Sequence, residues 1–469
     1  MTAQRIGLIA GLVGFGLTLV LPAPAGMPQA AWITAGLVVW IAAWWMTEAI
    51  PLTATALLPF LVLPSAGVMT AKDTAASYYS PILFLILGGA FIAIAIERTG
   101  LHRRLAVMIL DRVGRKGGPT RLLLAFMMTT GILSMAISNT SSALIMMPMA
   151  LAVMAGCGLA EDDHEGIAGA LPIGIAFAAS IGGLGTIVGS PTNAIAVGLL
   201  DKLLGLRISF AEWSLYGLPL VFLGIPLAAL IIARIQRLSA HAIDIGAARA
   251  SVFSGEAWTT PERRVVPLVA VTFLLWLTTP LLEPFLPPDS LTDGTVAVAA
   301  GLALFLLPDG TGRPLLTWQE ANNAPWGVIM MFGGGLALAA GMGESGLAEW
   351  LGKSLLPLSA MPLIVVALAL VALVILVTEF ASNVATASAI IPVVAALIAA
   401  LGIDPLLLAM PAALAASWGF MLPAGTGPNA IAWSTGRIKL SRMVGAGLAL
   451  DVAGAFLIVG IVWAIAAVT

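Results

Sequence analysis

Apolar residues in this chain form long runs separated by short polar stretches. The runs predict helices near 6–22, 31–47, 51–64, 81–98, 168–199, 213–233, 265–286, 294–308, 323–342, 406–434 and 443–467. A bilayer span needs about 20 apolar residues, so the pattern predicts eleven crossings. Two further stretches, 121–157 and 360–402, carry small polar residues with Gly or Ser at their centres. Each reads as a re-entrant helical hairpin that enters and leaves by one face. Non-helical backbone at membrane depth is tolerated only where protein buries it or water reaches it. The first run, with Arg5 before it and APAG at 23–26 after it, also has the form of a signal peptide; it is read as a retained helix.

The pattern occurs twice. ISNTSSALIMMP at 137–148 returns as ASNVATASAIIP at 381–392, which aligns Ser138 with Ser382, Asn139 with Asn383 and Pro148 with Pro392, each pair 244 residues apart. GSPTNAI at 189–195 is matched by GTGPNAI at 425–431, and SPILFLILGG at 80–89 by APWGVIMMFGG at 324–334. The chain is two similar halves, roughly 30–200 and 293–435. Five predicted crossings separate Ser138 from Ser382, and an odd number gives the halves opposite orientations. Inverted repeats of this kind point to a secondary transporter with its site near the midplane, and the hairpin tips at 138–140 and 382–384 are expected to meet there from opposite sides.

Composition agrees: 60% of residues are apolar and 9% charged, with a mean hydropathy of +1.05. This excludes an ordinary soluble domain. With the N-terminus cytoplasmic and the hairpins not crossing, 17 of the 21 Lys and Arg fall on the inner side, as the positive-inside rule requires. The basic clusters then read as topology determinants, with contact to anionic lipid. A net charge of −2 implies no nucleic-acid partner, and the single Cys157 excludes a disulfide framework.

No Arg, Lys or His falls near the motifs within the predicted membrane core; His102, His164 and His241 all lie in predicted loops. An anion there would be held by hydroxyls, side-chain amides and the free N–H groups of broken helices, with Ser138, Asn139, Thr140, Ser382 and Asn383 as donors. Such donors alone hold a dianion poorly, so bound cations are expected to share the site. Hydroxyl and amide oxygens, with carbonyls freed at 189–191 and 425–427, suit sodium. Glu48, Glu97, Glu379 and Asp451 are further candidates because carboxylates are costly in lipid; Glu48 and Glu97 fall at predicted helix ends and are expected to be solvated. Glu379 has Met135 as its repeat counterpart, which argues against a ligand shared by two equivalent cation sites. The hairpins hold no serine paired with a base, which argues against an intramembrane hydrolase. No enzyme activity and no cofactor other than the coupling ion is expected.

The motifs SNTSSALIMMP, SNVATASAIIP, GTIVGSPTNAI and SWGFMLPAGTGPNAIA resemble the divalent anion:sodium symporter family over nearly the whole chain. The resemblance implies an all-α elevator-type transporter, a homodimer of the bacterial inner membrane, in which a transport domain (119–240 and 358–469) moves against a scaffold domain (1–118 and 263–357), with a cytoplasmic linker at 241–262. It implies sodium-coupled uptake of a C4-dicarboxylate, with sodium-independent exchange or sulfate transport as alternatives. Ser138, Asn139, Thr140, Ser382 and Asn383 would contact substrate, with Ser190, Val384 and Thr426 beside them. One sodium would lie among Ser134, Ser138, Asn139 and Gly189, and its symmetry mate among Thr378, Ala381, Asn383 and Gly425. Two positions depart from the family pattern: Val384 stands where threonine is common, and Gly427 where proline is usual.

Overall fold

Helices begin and end where the sequence supplies a cap. Ser209, Thr259 and Thr292 each open a helix through reciprocal bonds with the residue three positions on. Gly100, Gly205 and Gly402 each close one in the left-handed conformation. The computed structural model describes residues 2–113, 118–160, 163–238, 257–288 and 290–468. His241 and most of the expected linker 241–262 lie outside the described residues.

The first half contains α1 (Ala3–Val20), α2 (Gln29–Thr47), α3 (Leu52–Thr55), α4 (Leu58–Ser65), α5 (Ala71–Ser77), α6 (Ile82–Thr99), α7 (Leu101–Val113), α8 (Pro119–Ser134), α9 (Asn139–Gly156), α10 (Ile167–Gly183) and α11 (Pro191–Leu204). Helices α12 (Phe210–Ile235) and α13 (Thr260–Leu282) lead to the second half. That half contains α14 (Asp293–Leu306), α15 (Trp318–Ala321), α16 (Trp326–Glu344), α17 (Leu347–Leu355), α18 (Leu363–Phe380), α19 (Asn383–Leu401), α20 (Leu406–Ala415), α21 (Gly427–Ser434) and α22 (Leu440–Ala466).

Among the described residues, ten helices are long and apolar enough to cross a membrane: α1, α2, α6, α9, α12, α13, α16, α18, α19 and α22. Seven of them coincide with predicted crossings, and three are arms of the two hairpins. The other four predicted crossings differ. Residues 51–64 form two short helices, and 294–308 forms the 14-residue α14. Residues 168–199 break around a 3-10 turn at Ile187–Gly189, and 406–434 break around a non-helical loop. Hydropathy does not register these breaks, because the residues stay apolar while Gly and Pro stop the helix. The amphipathic α7 and α17 were not foreseen, since neither is a long apolar run.

Every residue of α10 is buried, so this helix is the axis of the first half. It crosses α8 at a small-residue contact: a Cβ on Gly182 would lie 2.3 Å from the Gly131 carbonyl oxygen. Peripheral helices expose large apolar side chains such as Val13, Leu274 and Leu373, the surface that hydrocarbon covers. The protein is an integral membrane protein. Across the halves the packing is reciprocal: α11 lies on α19, and α21 lies on α9 and α10.

The basic residues from the last turn of α6 onward do more than mark topology. Arg98 pairs with the buried Asp309 and donates to the Leu315 carbonyl at 3.1 Å. Arg104 pairs with Glu262 at 2.9 Å and lies over the Trp258 ring. Asp309 Oδ1 also accepts from the Thr311 N–H and hydroxyl, each at 2.7 Å.

Candidate functional site

The break in the first hairpin is made by a cap. Ser138 is extended and its hydroxyl accepts from Ser141 N at 3.1 Å, which starts α9 afresh after α8 has ended at Ser134. The Ser134 hydroxyl donates to the Ala179 carbonyl of α10 at 2.7 Å. The Asn139 amide lies 2.8 Å from the same hydroxyl and within 3.2 Å of the Ala179 and Gly189 carbonyls. With its nitrogen towards that point the amide can donate to these three oxygens; with its oxygen there, four oxygens converge around the single Ser134 hydroxyl hydrogen.

The second hairpin repeats this geometry. Ser382 caps α19 by accepting from Ala385 N at 3.2 Å. The Thr378 hydroxyl donates to the Ala416 carbonyl at 2.7 Å and lies 2.9 Å from the Asn383 side-chain amide. Ala381 closes α18 in an extended conformation. The pairs Ser134–Asn139 and Thr378–Asn383 therefore repeat one contact, a hydroxyl against a side-chain amide and a carbonyl from the neighbouring helix segment.

The loops that supply the carbonyls are anchored by the two NAI asparagines. Asn193 donates to the Gly183 and Thr186 carbonyls at 2.7 and 2.8 Å, and Asn429 to the Leu422 carbonyl at 3.0 Å. Ser190 and Thr426 are buried and cap α11 and α21. Gly189 sits where a Cβ would lie 2.9 Å from the Ser134 carbonyl oxygen. Gly425 faces the Glu379 carbonyl oxygen at 3.3 Å in the same sense.

Beside the first cluster is a cavity of about 240 Å³, lined by Glu97, Ser138, Ser141, Gly189, Ser190 and Asn323 among others. The structure thus brings Ser138, Gly189 and Ser190 onto one wall. Ser382, Asn383, Val384 and Thr426 are not on that wall. Val384 is instead half-buried among apolar side chains, and Ala385 stands where the first tip has Ser141. Thr140 is exposed, and its hydroxyl occupies the space above Gly427: a Cβ there would lie 2.5 Å from Thr140 Oγ1.

The family profile described as the sodium:sulfate symporter transmembrane region matches residues 2–468. The chain belongs to this symporter family. It is 38% identical over 476 residues to the sodium-dependent dicarboxylate transporter SdcS of Staphylococcus saprophyticus, and 37% identical over 475 residues to that of Staphylococcus aureus. Each alignment covers 98% of this chain and 91% of the relative. The symporter fold is similar to that of the YdaH transporter of Alcanivorax borkumensis, with a TM-score of 0.61, 16% identity and 98% of each chain covered. It is also similar to MtrF of Neisseria gonorrhoeae, with a TM-score of 0.57, 11% identity, and 98% of this chain and 94% of the other covered.

In this symporter the acidic candidates separate. Glu48 is exposed at the end of α2, as expected. Glu97 is half-buried and lines the cavity rather than standing free in solvent; only the tertiary packing of α6 against the Ile187–Gly189 turn reveals this. Glu379 is buried and turned towards main chain. It accepts from the backbone N–H groups of Phe420, Met421 and Leu422, the last two at 2.9 and 3.0 Å.

Proposed function

We propose that the protein couples inward sodium flux to uptake of a divalent anion, most specifically a C4-dicarboxylate such as succinate, fumarate or malate. The observation that carries this reading is the repeated hydroxyl–amide pair, Ser134 with Asn139 and Thr378 with Asn383, each set against a carbonyl of an interrupted helix. Hard oxygen donors without a fixed positive charge suit monovalent cations. The cations in turn supply the charge that a dianion needs beside Ser138, Ser190 and Ser141. The names of the SdcS relatives support dicarboxylate as the anion.

On this reading one sodium is held by Ser134, Ser138, Asn139 and Gly189, and a second by Thr378, Ala381, Asn383 and Gly425. Substrate meets Ser138, Asn139, Thr140, Ser382 and Asn383, with Ser190, Val384 and Thr426 at its edge. A transport domain of residues 119–240 and 358–469 moves as an elevator against a scaffold of 1–118 and 263–357. The working unit is a homodimer in a bacterial inner membrane with its N-terminus cytoplasmic.

Uptake of radiolabelled succinate into proteoliposomes, with and without an inward sodium gradient, tests the reading. Gradient-dependent uptake, competed by fumarate and malate, is expected. Uptake indifferent to sodium but dependent on internal dicarboxylate would replace symport by exchange. Sulfate as the stronger competitor would favour the second reading, which the family's description supports.

A further inference from the structure

The cavity beside the first tip has one charged side chain on its wall among the described residues, and that charge is negative. Along α6 its lining recurs at every fourth position, from Leu85 through Gly89 and Ala93 to Glu97, which is one face of the helix over about 18 Å. Gly89 and Ala93 are small and leave the space open; Glu97, in the last turn, ends the row. The cations next to it in sequence are engaged elsewhere. Arg98 turns to Asp309 and the Leu315 carbonyl, and Arg104 pairs with Glu262. The Arg98 contacts also show which end this is, since they join the close of α6 to the segment 309–315 that leads to Asn323, on the same cavity wall. In the orientation proposed above it is the cytoplasmic end. An anion that leaves the first tip along α6 for the cytoplasm therefore passes a fixed negative charge.

A carboxylate in the wall of a cleft repels anions, and the repulsion grows in proportion to the charge of the ligand. We infer that Glu97 is a specificity-determining residue of the inner exit. It weakens the hold on the anion at the cytoplasmic side, on a dianion more than on a monoanion, and so speeds release into the cell. It changes half-saturation and rate at that side, while the gradient that the coupled sodium sustains stays as it was. In the division proposed above, α6 belongs to the scaffold and Ser138 and Ser190 to the moving domain. The repulsion then acts only while the site faces inward, and binding from the outer side is spared. This inference rests on the divalent-anion reading above.

The test uses the full-length protein in right-side-out and inside-out membrane vesicles, with a sodium gradient directed into each. Glu97→Gln removes the charge and keeps the shape; Glu97→Asp keeps the charge. At the cytoplasmic face, the succinate concentration for half-maximal uptake should fall about tenfold in Glu97→Gln and stay within about twofold of wild type in Glu97→Asp. Monomethyl succinate, a competitor with one charge, should gain only about threefold, the square root of the dianion effect. Raising the ionic strength with choline chloride should narrow the gap between wild type and Glu97→Gln. At the outer face both variants should match wild type within about twofold. A cytoplasmic half-saturation that is unaltered or raised in Glu97→Gln, equal gains for the dianion and the monoanion, or equal shifts at both faces would each overturn the proposal and leave the divalent-anion reading intact. Wild-type vesicles that accumulate neither succinate nor sulfate would remove that reading, and the proposal with it.

Discussion

The two loops at residues 184–190 and 416–426 each flank a hydroxyl–amide pair but are held in place differently. In the first, the Thr186 hydroxyl donates to the Met135 carbonyl at 2.5 Å and accepts from Gly189 N at 3.0 Å, and Asn193 ties two carbonyls together. In the second, the counterpart of Met135 is Glu379, whose carboxylate gathers three consecutive N–H groups. Duplication has kept the hydroxyl–amide contact and the asparagine anchor of each loop and let the remaining support diverge. The first loop is fastened by neutral groups within a tight turn. The second is fastened by a charge delivered from the neighbouring helix. Repeat symmetry therefore identifies the hydroxyl–amide pairs and the asparagine anchors and says little about the other contacts that hold each loop.

The strongest way to break this comparison is Glu379→Leu set against Thr186→Val. The first leaves three buried N–H groups without an acceptor, at about 1–3 kcal/mol each, and should abolish succinate uptake and lower the thermal unfolding midpoint sharply. The second should cost about 1–2 kcal/mol and leave partial transport. Equal losses in detergent-solubilised melting and in uptake would mean that the two loops are held equally firmly.

A second test concerns the join between halves. Proline at 427 would be acceptable at the first position of α21, but its Cβ meets Thr140 Oγ1 at 2.5 Å. Gly427→Pro should destabilise by about 1–3 kcal/mol, and Thr140→Ala should recover most of it. A double-mutant cycle on the unfolding midpoint that shows no coupling would remove Thr140 as the reason for glycine here.

A smaller effect is expected where the first cluster is closed by Gly183. A Cβ there would lie 2.2 Å from the Asn139 amide oxygen, whereas at Gly419 it would lie 2.9 Å from Thr378 Cγ2. Gly183→Ala should raise the sodium requirement of uptake several-fold, and Gly419→Ala less, by displacing an amide in one case and a methyl in the other. Sodium titrations in the reverse order would show that the clusters tolerate crowding differently from their geometry.

The mildest prediction lies outside the membrane. Burial raises the Asp309 carboxyl, but the Thr311 bonds and the Arg98 guanidinium outweigh it and bring the group down from 3.8 to about 2. A depressed acid contributes stability that is present above its unfolded value and lost as pH falls through the folded one. The contribution should be complete above about pH 4 and vanish towards pH 2. Asp309→Asn should flatten the unfolding midpoint across that window. An unchanged acid profile would dismiss the ion pair as a stabilising contact.

Much of this organisation was legible in the chain. The hairpins and their tips follow from polar residues set in apolar runs, and the Ser134–Thr378 and Asn139–Asn383 correspondences follow from one constant spacing. The breaks in α10–α11 and α20–α21 escape the hydropathy pattern, because glycine-rich loops of the same hydropathy look like helix, and only the freed carbonyls expected at 189–191 and 425–427 mark them. Nor was the direction of Glu379, whose partners lie more than 40 residues further along the chain. The same holds for Glu97 on the cavity wall, for Thr140 above Gly427, and for the burial of Asp451 in α22. Each of these is a meeting of distant segments, decided by side-chain direction after the helices have packed.

The reciprocal seating of α11 on α19 and of α21 on α9 and α10 makes the molecule an intramolecular exchange of parts. Each hairpin is braced by a piece of the opposite half, as two hands hold when each grips the other's wrist. Neither half is complete as a folding unit, so the two expressed as separate polypeptides should accumulate only together. A lesion in one loop should find its suppressors in the other half of the gene.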